Sequence, residues 1–104
     1  MSKFSQKFRL DNKVAFITGG AGFLGKKHAE AILEFGGKVI LADVISVDEG
    51  SWIVDELERK YNTHSEWITD RVSYEWMDVT KESSIQKTID KYDKIDILIN
   101  NAAI

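Results

Sequence analysis

From residue 14 the chain reads Val14-Ala15-Phe16-Ile17-Thr18-Gly19-Gly20-Ala21-Gly22-Phe23-Leu24-Gly25. An apolar run typical of a strand ends in three glycines, Gly19, Gly22 and Gly25, which are spaced three residues apart and lead into a helical pattern. A tight turn of this kind presents backbone N–H groups and the positive end of a helix dipole to a phosphate. Asp43 closes the next apolar run, 18 residues after Gly25. Together these features predict a dinucleotide site.

Strands and helices are predicted to alternate along the whole chain. The hydrophobic patterns place strands at Val14–Thr18, Lys38–Asp43, Val72–Met77 and Ile95–Ile99, and helices at Gly22–Phe35, Ser51–Tyr61 and Lys81–Tyr92, the last capped by Thr80. Such alternation implies parallel βαβ units with right-handed crossovers. We therefore expect an α/β fold built on a doubly wound parallel sheet.

Composition excludes several other classes of protein. The chain has 104 residues, a net charge of −3, two histidines and no cysteines. The charge argues against broad nucleic-acid binding, and the absence of cysteine excludes disulfides and thiolate metal sites. Apolar stretches are too short to cross a bilayer, and the N-terminus has no continuous hydrophobic region. We expect a cytoplasmic protein with no metal, nucleic-acid or membrane partner.

The glycines and Asp43 have separate predicted roles. Gly19 permits the tight turn, Gly22 lets the backbone approach the phosphates, and Gly25 lets the helix pack closely on the sheet. The Asp43 carboxylate can accept hydrogen bonds from the adenosine ribose hydroxyls, and its charge repels a 2′-phosphate. No lysine or arginine stands in the glycine turn or directly after Asp43. The predicted cofactor is therefore NAD and not NADP.

Two further segments follow predicted strands and add to the site. Asp78-Val79-Thr80 is expected beside the adenine, where the carboxylate accepts from the exocyclic amine and the valine packs on the ring. Asp and Thr are also good helix caps, so this segment has a purely structural alternative. Asn100-Asn101-Ala102-Ala103 supplies small residues that let a cofactor pass, and it is equally typical of a turn.

These motifs in this order resemble the short-chain dehydrogenase/reductase family, over about residues 8 to 104. The resemblance implies a Rossmann sheet of strand order 3-2-1-4, truncated here after strand 4, with NAD across its carboxyl edge. Residues 1–12 would be an N-terminal lead-in and 13–104 the N-terminal part of the dinucleotide-binding domain. By position, the pyrophosphate would contact Gly19, Ala21, Gly22, Phe23 and Leu24, the adenosine ribose Asp43 and Val44, the adenine Asp78 and Val79, and the nicotinamide-side ribose Asn101 and Ala102.

The sequence departs from the family pattern at two places. The glycine spacing is more like that of the extended branch, which contains sugar-nucleotide epimerases and dehydratases. The Asn-Asn-Ala-Ala segment is like the short branch, and the asparagine pair is the more distinctive feature. Ala103 stands where glycine is usual, which would alter cofactor approach slightly.

The catalytic pair of the family is not found in these residues. Its chemistry uses a tyrosine with a lysine four residues later, whereas Tyr61, Tyr74 and Tyr92 are followed at that distance by Ser65, Asp78 and Asp96. We therefore expect the cofactor-binding portion of an NAD-dependent oxidoreductase that moves hydride between nicotinamide and a small alcohol or carbonyl substrate.

Several expectations follow for the chain by itself. The portion alone would be inactive, and its open apolar edge after strand 4 would make it marginally stable or self-associating. A homo-oligomer is expected when the protein is complete. The alternatives are an extended-branch epimerase or dehydratase, and a non-catalytic NAD-binding sensor.

Overall fold

The computed structural model describes residues 8–61 and 71–102, in which strands and helices alternate. The elements in chain order are β1 (Val14–Thr18), α1 (Phe23–Glu34), β2 (Lys38–Asp43), α2 (Val47–Tyr61), β3 (Val72–Trp76), α3 (Glu82–Ile89) and β4 (Ile97–Asn100). Ala103, with Ile104, lies outside the described residues. The α/β class expected from the sequence is confirmed.

The strands form one parallel sheet in the order β3-β2-β1-β4. In register, Thr18 at the end of β1 is opposite Ala42 of β2 and Asn100 of β4, and Asp43 is opposite Trp76 of β3. The predicted strand order is therefore confirmed. Because all four strands run the same way, the segments that follow them meet at one edge of the sheet, where open α/β folds bind their ligands.

The sheet is covered on both faces. On one face Ile17 and Leu41 pack with Ala29 of α1 and Leu57 of α2. On the other, a second buried cluster joins Phe16, Ile40, Ala42 and Met77, with Ile85 of α3 against it. Burial on both faces explains why β1 and β2 are nearly continuous apolar runs in the sequence.

The bounds of three elements differ by more than one residue from the sequence prediction. α2 begins at Val47, four residues earlier than expected, and the Ser46 hydroxyl accepts from the Glu49 N–H at 3.2 Å as an N-cap. α3 spans only Glu82–Ile89, and Lys81 precedes it without a side-chain cap, so the prediction that Thr80 caps this helix is wrong. β4 is displaced toward the C-terminus, to Ile97–Asn100, where it pairs with β1.

At the edge of the sheet where the strands begin, Arg71 holds several segments together. Its guanidinium is buried and donates to the carbonyls of Leu33 at 2.7 Å, Gly37 at 3.0 Å and Tyr61 at 2.8 Å. These carbonyls belong to the ends of α1 and α2 and to the turn between α1 and β2. Nearby, the Leu10 N–H donates to the carbonyl of Phe35 at 2.7 Å, within the segment assigned to a lead-in.

Candidate dinucleotide-binding site

The turn between β1 and α1 is shaped by glycines. Gly19 has a φ of 65°, in the left-handed region that favours glycine. A Cβ at Gly25 would lie 2.3 Å from the carbonyl oxygen of Gly19 and 2.7 Å from the Cα of Gly20. The first turn of α1 therefore sits directly on the glycine turn, and no side chain fits between them.

Gly22 differs from Gly25 because the protein itself does not require a glycine there. Its backbone is extended (φ −77°, ψ 173°), and a Cβ would make only an ordinary contact of 3.4 Å with the Gly19 oxygen. Gly22 is also the N-cap of α1, whose start has no side-chain cap and no acidic residue in its first turn. The helix thus presents an uncapped N-terminus to the space beyond Gly22, which suits an anion.

Two adjoining clefts run along the carboxyl edge of the sheet. The larger, about 410 Å³, lies over the glycine turn and the start of α1; it is lined by Gly19, Gly22, Phe23, Leu24, Asp43, Asn101 and Ala102. The smaller, about 250 Å³, lies between the ends of β2 and β3; it is lined by Gly19, Ala42, Asp43, Val44, Met77, Asp78, Val79, Thr80 and Ala102. Gly19, Asp43 and Ala102 border both clefts.

Asp43 stands where the two clefts meet, with its carboxylate held by the backbone. Oδ2 accepts from the Ala21 N–H at 3.0 Å, and Oδ1 accepts from the Val44 N–H at 2.7 Å. A carboxylate has about four acceptor positions, so about two remain for a ligand. The Ala21 amide, which the resemblance assigns to the pyrophosphate, is thus bonded to Asp43, and Ala21 does not line either cleft.

Asp78 has a structural role as well as a place in the smaller cleft. Its Oδ1 accepts from the Thr80 N–H at 3.0 Å and from the Thr80 hydroxyl at 2.6 Å. These hydrogen bonds hold the pKa of the Asp78 carboxyl below its usual range. The Asp78 N–H in turn donates to the Ser84 hydroxyl at 3.0 Å, which ties the segment to α3. Val79 lies beside Asp78 in the same cleft.

The segment after β4 is attached to the glycine turn through Thr18 and Asn101. The Thr18 hydroxyl accepts from the N–H groups of Asn101 at 3.0 Å and Ala102 at 3.1 Å, and it is 3.2 Å from Oδ1 of Asn100. The Asn101 side-chain amide donates to the Gly19 carbonyl at 3.2 Å. These bonds place Asn101 and Ala102 against the glycine turn, and they fix the floor of the larger cleft.

The residues that the sequence assigns to the cofactor all line one or both clefts, except Ala21, whose N–H is hydrogen-bonded to Asp43. Sequence reasoning missed Thr18, Ala42, Met77 and Thr80. Thr18 directly precedes Gly19 and Thr80 directly follows Val79, so both could have been found from the sequence motifs. Ala42 and Met77 look like ordinary core residues in a sequence.

Two tyrosines, Tyr74 and Tyr92, are poorly suited to proton transfer because their phenols are buried and hydrogen-bonded. Burial, followed by the charge of Asp43, raises the pKa of Tyr74 to about 12. Burial and the hydrogen bond to Glu75 raise the pKa of Tyr92 to about 12. A catalytic phenol needs a pKa nearer the working pH. Among residues 8–61 and 71–102, no group of His, Asp or Glu side chains is placed to hold a metal ion, and no helix is long and apolar enough to span a membrane.

Comparison with known proteins agrees with this geometry. The family model described as short chain dehydrogenase matches residues 13–104. Short-chain dehydrogenase reductase 3b of Arabidopsis thaliana is 34% identical over 100 residues, which are 92% of this chain and 35% of that protein. A short-chain type dehydrogenase/reductase from Mycobacterium marinum superposes with a TM-score of 0.79 at 28% identity, over 100% of this chain and 40% of that one.

A third similarity concerns the fold alone. The Pseudomonas aeruginosa RhlG/NADP active-site complex superposes with a TM-score of 0.73 at 23% identity, over 93% of this chain and 37% of that one. That structure is a complex with NADP. The chain spans about a third of the length of the curated relatives it matches, 35% in the Arabidopsis protein.

Proposed function

Because this chain belongs to the short-chain dehydrogenase family, we propose that it binds NAD along the carboxyl edge of its sheet as the nucleotide-holding part of an oxidoreductase. The position of Asp43 carries this proposal. Its carboxylate lies at the junction of two clefts and retains acceptor positions after its two backbone hydrogen bonds.

The residues around the larger cleft fit a pyrophosphate. The uncapped N-terminus of α1 supplies N–H donors and a favourable dipole for negative charge. Gly22 leaves open the space that a side chain would fill, although no protein atom requires a glycine there. Gly19, Phe23 and Leu24 would complete this part of the site.

The charge of Asp43 supports NAD in preference to NADP. The two ribose hydroxyls of NAD would donate to the remaining acceptor positions of the carboxylate. A 2′-phosphate would bring a second negative charge to the same place. Two unit charges 4 Å apart repel by about 4 kcal/mol at an effective dielectric constant of about 20. Val44 would lie beside this ribose.

The two ends of the dinucleotide would contact the remaining residues that line the clefts. Asp78 has one oxygen bonded to Thr80, and its other oxygen would accept from the adenine amine while Val79 packs on the ring. Asn101 and Ala102, fixed by Thr18, would lie near the nicotinamide-side ribose. When bound, NAD supplies the carbon that takes or gives a hydride, and the proposed second substrate is a small alcohol or carbonyl compound.

The tyrosine–lysine pair that the family uses for proton transfer is not found in these 104 residues. No tyrosine of the chain has a lysine four residues later, and the phenols of Tyr74 and Tyr92 are held protonated. We therefore expect the 104-residue chain to bind NAD without turning over an alcohol. The extended-branch alternative rests on the glycine spacing, whereas the matched family and the Asn-Asn-Ala-Ala segment support the short branch.

The proposal is tested by calorimetric titration of the chain with NAD and with NADP at physiological salt. We expect NAD to bind at least about tenfold more tightly than NADP. A tenfold difference in affinity corresponds to about 1.4 kcal/mol, which is less than the repulsion of about 4 kcal/mol between Asp43 and a 2′-phosphate. Asp43→Asn should remove most of that preference. Asp55→Asn, which deletes the same charge on the exposed face of α2, is the matched control and should preserve it. Equal affinities for the two nucleotides, or no binding of either, would refute the proposal.

A further inference from the structure

The loop that follows Asp43 is anchored by two aromatic side chains of the neighbouring strand. The Tyr74 hydroxyl donates to the carbonyls of Asp43 at 2.9 Å and Ile45 at 2.7 Å. The Trp76 indole N–H donates to the carbonyl of Val44 at 3.2 Å. Three successive carbonyls are thus bound by β3, and they belong to the segment whose first residue is proposed to select the nucleotide.

Tyr74 reaches these carbonyls from beneath α2. A Cβ at Gly50 would lie 2.3 Å from Cδ2 and 2.4 Å from Cγ of the Tyr74 ring, so the ring packs directly on the backbone of the first turns of α2. Gly50 is buried inside a helix, where glycine is otherwise unfavourable. The ring therefore occupies the space that any other residue at position 50 would fill.

The phenol is a permanent donor at this place. Burial and the negative charges of Asp43 and Glu49 raise the pKa of Tyr74 to about 12, so the hydroxyl keeps its proton at physiological pH. Its single hydrogen is shared between two carbonyls. The carbonyls of Asp43 and Ile45 thereby fix the backbone on both sides of Val44, whose N–H holds Oδ1 of Asp43.

We propose that Tyr74, assisted by Trp76, is a positioning residue that sets nucleotide selectivity by fixing the backbone on which the Asp43 carboxylate is aimed. Neither side chain lines either cleft, so both act through Asp43. Without the Tyr74 hydroxyl, the backbone that carries Asp43 and the Val44 N–H would be held less firmly, and the carboxylate would face the 2′ position of the ribose less consistently. NAD would lose hydrogen bonds, and NADP would lose repulsion. This inference rests on the proposed function.

The test compares two tyrosine variants by the ratio of NADP to NAD dissociation constants. Tyr74→Phe removes the loop anchor, and we expect the ratio to fall by about threefold to tenfold, the effect of one hydrogen bond of ordinary strength. Tyr92→Phe is the matched control, because its equally perturbed hydroxyl bonds Glu75 and Ser73 and lines neither cleft. The control should lose stability in urea but keep the ratio of the wild-type chain.

A double-mutant cycle separates positioning from general loosening of the fold. In the Asp43→Asn background, Tyr74→Phe should leave the ratio unchanged, because its effect passes through that carboxylate. Trp76→Phe removes the second anchor of the loop, which is half-exposed. We therefore expect the ratio of NADP to NAD dissociation constants to fall by only about twofold in this variant. Hydrogen exchange of the Val44–Ser46 amides should accelerate in Tyr74→Phe and not in Tyr92→Phe.

The outcomes distinguish this inference from the proposal beneath it. If the wild-type chain binds neither nucleotide, the proposed function fails and the inference fails with it. If the wild-type chain prefers NAD through Asp43, and the ratio is unchanged in both Tyr74→Phe and Trp76→Phe, the proposed function stands and the positioning role is wrong. A ratio that changes equally in Tyr92→Phe also overturns it.

Discussion

Gly22 and Gly25 lie one turn apart in the same segment, but different neighbours account for them. At Gly25 the obstacle is the backbone of the protein, 2.3 Å from a Cβ, whereas at Gly22 the nearest atom is 3.4 Å away and the side chain would enter the larger cleft. The same substitution at the two positions therefore separates the requirements of folding from those of the proposed ligand.

We expect Gly25→Ser to lower the free energy of unfolding by about 2–3 kcal/mol, because the added atoms overlap backbone that cannot move aside easily. Gly22→Ser should leave it nearly unchanged, since serine is a good N-cap and the extended backbone accepts it. In Gly22→Ser, NAD affinity should fall by about tenfold or more as the side chain displaces the ligand. Urea unfolding and calorimetric titration measure the two effects, and a destabilised Gly22→Ser with intact NAD affinity would contradict this assignment.

Single residues were predicted to different degrees. Asp43 could be found from the sequence, because a carboxylate at the end of the second strand has a defined place at the carboxyl edge. Its bond to the Ala21 N–H could not, since it joins two loops through the fold. Gly50 lies just before the predicted start of the second helix, and only the ring of Tyr74, distant in sequence, explains why a glycine stands there.

At the scale of elements, the sequence was most informative where burial is complete. β1 and β2 have the predicted bounds, because strands covered on both faces are continuous apolar runs. α2 was predicted to begin too late, because Val47 to Gly50 contains two acids and a glycine. Ser46 and Glu49, spaced as in a capping box, were the local signal for its actual start.

The start of α2 is expected to depend on its cap. Ser46→Ala removes the acceptor for the Glu49 N–H and should lower the free energy of unfolding by about 1 kcal/mol. Ser51→Ala, an exposed position inside the same helix, is the control and should change it by less than about 0.5 kcal/mol. Chemical denaturation of both variants measures the difference, and equal stabilities would show that the hydroxyl of Ser46 is not an effective cap.

At the scale of the whole molecule, the carboxyl and amino ends of the strands differ in structure. The carboxyl edge carries the two clefts, whereas the opposite edge is closed by Arg71, which binds the ends of α1 and α2 and the turn before β2. Arg71 is also held by Glu58, whose carboxylate accepts from the Arg71 and Val72 N–H groups at 2.9 and 2.8 Å. Arg71 could not be singled out from the sequence, because its partners are backbone carbonyls of three separate segments.

Loss of the Arg71 hydrogen bonds should lower the stability of the fold without altering the clefts. We expect Arg71→Met to lower the free energy of unfolding by about 3 kcal/mol, because two buried carbonyls and one half-buried carbonyl lose a charged donor. Arg59→Met, on the exposed face of α2, is the control and should cost less than about 0.5 kcal/mol. Urea unfolding compares the two. The NADP to NAD ratio should be the same in both variants, and a changed ratio in Arg71→Met would show that the two edges are coupled.

The hydrogen bonds from Ala21 and Val44 to the Asp43 carboxylate have one more consequence. Because this side chain is immobilised when the chain folds, its rotamer entropy would not be lost again on binding of the proposed nucleotide. In the proposed site, affinity would therefore depend in part on how stable the fold is around Asp43. Substitutions away from the clefts could therefore change affinity for the proposed nucleotide, because they would alter how firmly the surrounding structure holds Asp43.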